Sequence, residues 1–88
     1  MTPRLLARVQ RDFPADIDQV LVLLGEVESG NQDRERAQAA AVFAADGSLE
    51  RLQGAVELSH VDWRDLLMAG GLGNAGWERV IDSELGPS

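Results

Sequence analysis

Residues 32–45 constrain this chain more than any other stretch. Beyond Arg36 almost every side chain is apolar, and Ala37, Ala39, Ala40, Ala41, Ala44 and Ala45 supply the best helix former. A surface helix carries one oily stripe, whereas this segment is oily around its whole circumference. Such a helix belongs in the middle of a domain, and its small side chains let neighbouring helices approach closely.

The flanking segments read as the helices that wrap it. Thr2-Pro3 sets a hydroxyl cap ahead of a proline at the first helical position, opening a helix with Leu5, Leu6, Val9 and Phe13 on one side. Pro14 ends it. A second helix begins around Pro14, with Asp16 and Asp18 in its first turn; Ile17, Val20, Leu21, Leu24 and Val27 repeat at helical spacing. Val22 and Leu23 widen its apolar face, which predicts burial on more than one side. Gly30 stops it, and Asn31 is placed to cap the helix at 32–45.

Asp46-Gly47-Ser48 reads two ways. Asp-Gly between apolar residues is a hairpin signal. However, Leu49, Leu52 and Val56 fall at helical spacing behind a Ser48 cap, so the expectation is helix–turn–helix, with the next helix running to about Leu58. Asp62 then caps a short helix carrying Leu66, Leu67 and Met68, which Gly70-Gly71 end. A last helix at about 75–85 presents Trp77, Val80, Ile81 and Leu85. The expected fold is all-α: a compact bundle of about five to six helices around the central alanine-rich helix at about 32–45, in one domain spanning 1–88.

Composition excludes several functions. All eight basic residues are arginine, and against 15 acids they leave a net charge of −7. That surface repels nucleic-acid phosphates and anionic lipid, so neither is an expected partner. There is no cysteine, hence no disulfide, thiol nucleophile or thiolate metal site. The longest apolar run, 39–45, falls far short of the roughly 20 residues that span a membrane. The N-terminus lacks a signal-peptide core, so a cytoplasmic location is expected.

The chemistry-bearing residues are few. His60 is the one histidine; Glu57 or Asp62 could orient it, but no nucleophile stands nearby. The glycine-rich stretch 70–76 lacks the Lys-Ser/Thr of a P-loop and the preceding strand of a dinucleotide site, and reads as a flexible interhelical turn. Scattered carboxylates form no calcium loop. The residues therefore indicate no catalytic, cofactor-binding or metal site, and no small-molecule ligand. Two features remain as candidate interaction residues. Arg4, Arg8 and Arg11 fall within a stripe of roughly 60° on the first helix, either as an exposed basic face or as arginines solvated or paired within the chain. In Asp62-Trp63-Arg64-Asp65, Trp63 and Arg64 are residue types enriched at binding hot spots, although a cap and a buried ring explain the same tetrapeptide.

The stretch 35–77 resembles a group of small bacterial proteins of unknown function. The shared features are the alanine-rich helix from Glu35, the Asp-Gly turn with Leu49 and Leu52 after it, and Asp62-Trp63-Arg64-Asp65-Leu66-Leu67. The resemblance implies a helical domain and transfers no functional residue. The expected function is a non-catalytic helical protein-interaction module, acting as a homodimer or as an accessory subunit of a larger partner. The rivals are an acidic regulator that mimics nucleic acid and a small enzyme built on His60.

Overall fold

A computed structural model describes residues 1–87. They form five helices in chain order: α1 (Pro3–Asp12), α2 (Ile17–Gly25), α3 (Arg34–Ala45), α4 (Leu49–Ala69) and α5 (Trp77–Leu85). The fold is all-α, with no strand among the described residues. Asp62 breaks α4 at an extended φ of −158° and ψ of 103°, so the bundle has six straight rods if that helix is counted as two.

The alanine-rich helix lies at the centre. Ala37, Gln38, Ala39, Ala40, Ala41, Val42 and Ala45 of α3 are buried, and α1, α4 and α5 all pack against it. Large side chains from those neighbours fill the space that the alanines leave: Leu5 and Val9 from α1, Leu52 and Leu66 from α4, and Ile81 from α5. Each such burial contributes roughly 1.5–3 kcal/mol.

α3 and α4 form a tight helical hairpin. Asp46 (φ 49°) and Gly47 (φ 79°) turn the chain through two left-handed residues, and Ser48 caps α4 by accepting from the Arg51 backbone N–H at 3.2 Å. The Asp-Gly turn thus reverses two helices rather than two strands. A straight helix of 21 residues would run about 31 Å, well past the far end of the 12-residue α3. The break at Asp62 turns the chain back, and Gly70 comes to rest against the middle of α3. A Cβ at Gly70 would lie 2.4 Å from the Ala40 carbonyl oxygen, so only glycine allows this approach.

Three expectations are corrected. α3 starts at Arg34 rather than 32, because Asp33 and not Asn31 supplies the cap, accepting from the Arg36 N–H at 3.1 Å. α2 stops at Gly25, well before Gly30. The Arg34 guanidinium donates to the carbonyls of Leu24 (3.2 Å), Gly25 (2.9 Å) and Val27, and Gln38 also donates to Leu24 (3.1 Å). Those carbonyls are thereby satisfied without further helix, and Val27 reaches the core from a loop. Val22 is 63% exposed, since α2 packs mainly on α1 and α4 and buries just Val20 and Leu24.

Candidate interaction groove

The break at Asp62 builds the first wall of a groove. Its carboxylate accepts from the Arg64 backbone N–H at 3.0 Å, so Asp62 caps the helical segment that follows and places Trp63 at its first position. The Trp63 indole lies against Gly30, where φ is +57° and an added Cβ would fall 2.7 Å from the indole nitrogen. Glycine is required there for backbone conformation and for space. Arg64 stands over the Trp63 ring, 5.0 Å from its centroid. Its side chain is exposed and makes no hydrogen bond or ion pair among the described residues.

The opposite wall comes from α3. Arg36 donates through Nε and Nη2 to the Leu72 carbonyl at 3.0 and 2.8 Å, and through Nη1 to Gln32 Oε1 at 2.7 Å. Its guanidinium also lies 4.8 Å from the Trp77 ring centroid. With Leu72 fully buried, these bonds pin the glycine-rich stretch against α3, so the expected flexible turn is anchored at its centre. Gly73 sits where a Cβ would approach Met68 Cγ to 2.8 Å.

Between the walls runs an open groove of about 340 Å³. Trp63, Leu67, Met68 and Gly73 give it an apolar lining, and Gln32, Arg36 and Arg64 supply its polar groups. Met68 is 72% exposed and lines the groove together with Trp63. No carboxylate lines the groove. Four other concavities on the described residues each include one or more: Asp16 and Asp18, then Asp33, Glu35, Glu78 and Asp82, then Glu84, then Glu35.

The arginine stripe of α1 is placed differently. Arg4 pairs with both carboxylate oxygens of Glu35, at 2.9 and 2.5 Å, and reaches Asp82 at 2.7 Å and the Gly86 carbonyl at 2.8 Å. Those carboxylates hold its guanidinium above its ordinary pKa. In return the bond from Arg4 holds the Glu35 carboxyl below the usual carboxylate range, against the opposing effect of burial; Thr2 also donates to it. Arg8 meets Asp12 at 2.9 Å and Glu84 at 3.3 Å, and lies 5.1 Å from the Phe43 ring centroid. Burial works against its charge, yet Asp12 and Glu84 keep its pKa raised. Both side chains are only 15% exposed, so the stripe is a clasp between α1 and α5 rather than a free basic face. Arg11 alone stays exposed, touching Asp12 at 3.3 Å.

The remaining candidates are not brought together. His60 and Glu57 are both exposed and share no hydrogen bond, while Asp62 is occupied as a cap. No group of three or more metal-ligating side chains forms among the described residues, and no helix there is long and apolar enough to cross a membrane. Of the groove residues, the sequence reading identified Trp63 and Arg64 but missed Gln32, Arg36 and the exposure of Met68. Arg36 lies 41 positions from Trp77 with no periodic signal between them. Only the coincidence of two tryptophans with few other aromatics hinted at it. Comparison of the chain with protein-family models, curated proteins and solved structures found no match.

Proposed function

We propose that this chain is a non-catalytic helical interaction module that docks a protein partner in the groove between Arg36 and Arg64. One observation carries the reading. Both tryptophans of the chain bear an arginine on the ring, and both of those arginines line a groove free of carboxylates in a protein of net charge −7. Tryptophan and arginine dominate binding hot spots because they combine large apolar area with directed hydrogen bonding. A partner protein is favoured over a second copy, since two chains of this charge repel each other as they approach. His60, exposed and without an orienting group, offers no support for the enzymatic rival.

The test is site-specific photo-cross-linking in the cells that make the protein. A cross-linker replacing exposed Met68 should give a discrete protein adduct, and one replacing exposed Arg79 on α5 should give none. Equal adducts from both sites, or none from position 68, would overturn the reading.

A further inference from the structure

We infer that the groove's occupant is a peptide segment that sets an aliphatic side chain beside a carboxylate. The inference rests on the docking reading above and adds the chemistry of the partner. An indole ring attracts the guanidinium charge without supplying the acceptors that a carboxylate would. Arg64 has all five of its donors unpaired among the described residues. Arg36 spends Nε and one N–H on each terminal nitrogen, which leaves one further donor on each. Two guanidinium groups with free donors line one groove that no carboxylate lines, a setting suited to an anionic group.

Three features choose the carboxylate and its neighbour. The apolar lining of Trp63, Leu67 and exposed Met68 requires an aliphatic side chain next to the anion, and the flexible thioether adapts to its shape. An open groove of about 340 Å³ lies at the small end of ligand sites, enough for one or two side chains of an extended segment. The net charge of −7 opposes a phosphate dianion more strongly than a carboxylate monoanion, so of the two the carboxylate meets the smaller long-range penalty.

The experiment uses the full chain, labelled with nitrogen-15, and three blocked hexapeptides as probes. One alternates leucine and aspartate, the second carries asparagine for aspartate, and the third carries phosphoserine for aspartate. The aspartate peptide should shift the Trp63 indole resonance and the amides of Met68 and Gly73. Affinity should fall about tenfold or more for the asparagine peptide, and similarly for R64Q with the aspartate peptide. Equal binding of the asparagine peptide, tighter binding of the phosphoserine peptide, shifts centred elsewhere, or no binding of any peptide would each overturn the inference. A concentration-dependent dimer in light scattering that protects the same resonances would also overturn it, by making a second copy the occupant. Failure of the peptides with a surviving cross-link at position 68 would remove the ligand class and leave the docking reading intact. Loss of the cross-link would remove the docking reading itself.

Discussion

Two pairs of arginines occupy opposite roles in this molecule. Arg4 and Arg8 face carboxylates from α3, α5 and their own helix, and donate to Glu35, Asp82, Asp12 and Glu84. Arg36 and Arg64 lie against tryptophan rings and pair with no carboxylate, although Arg36 also gives three of its five donors to the Leu72 carbonyl and Gln32. A carboxylate neutralises the guanidinium it binds and fills its edge, whereas an aromatic face steadies the side chain and leaves charge and edge exposed to a third group. An arginine in an acidic protein is therefore informative only once its partner is known. The same residue type closes the bundle on one side and lines an open groove on the other.

That contrast predicts unequal costs of substitution. The groove depends first on the contact that seats the end of α4 on α3. Gly70→Ala puts a methyl group against the Ala40 backbone and forces the two helices apart, at a cost of about 2–3 kcal/mol. For a chain of this length the melting temperature should fall by roughly 8–20 °C in a thermal scan. Retained wild-type stability would mean that the groove's platform is looser than the structure shows. On the clasp side, Arg4→Ala leaves the mostly buried Glu35 carboxylate without its guanidinium and should cost about 1–2 kcal/mol by urea denaturation. An Arg4→Ala, Glu35→Gln double variant should recover part of that loss, since the stranded charge is gone.

The asymmetry between the two sides also explains what could be read from sequence. Fold class followed from the alanine-rich segment and from caps such as Thr2, Ser48 and Asp62, because periodicity and capping are local and write themselves into adjacent residues. The end of α2 did not follow, since it is decided by Arg34 and Gln38 reaching back to the carbonyls of Leu24, Gly25 and Val27. The start of α3 turned on which of two nearby cap candidates, Asn31 or Asp33, the chain uses. The clasp and the groove are equally non-local: Arg4 meets residues 31 and 78 positions away, and Arg36 meets a carbonyl 36 positions away. A charge stripe on α1 was visible, but whether it is a surface or a clasp depends on where α5 lies, and no spacing within α1 encodes that.

Acid should weaken the clasp side. The Glu35 carboxyl has a folded-state pKa below its ordinary 4.5, so the folded chain binds that proton less tightly than the unfolded chain does. The stability this contributes is complete above the unfolded value and is lost as pH falls through the lower folded value. Melting temperatures of the wild type and of Glu35→Gln should therefore differ at neutral pH and converge as the pH drops below 4.5. Parallel curves down to the acid limit would show that Arg4 gains nothing from this carboxylate.

Arg64→Gln should have the smallest effect on stability and the clearest consequence for binding. The side chain is exposed, holds no acceptor among the described residues, and lies over the Trp63 ring at 5.0 Å from its centroid. Loss of an exposed cation–π contact costs about 0.5–1 kcal/mol. Glutamine keeps part of the aliphatic stem on the ring, so the change should stay within about 0.5 kcal/mol in a urea melt. The Asp62 cap is untouched, because it is made to the Arg64 backbone N–H rather than to its side chain. A stable Arg64→Gln chain would leave the side chain's proposed role, binding in the apolar groove, open to test apart from folding. If Arg64→Gln instead destabilised the protein as much as Arg4→Ala, Arg64 would be an internal fastener like Arg4, and the contrast between clasp and groove would collapse.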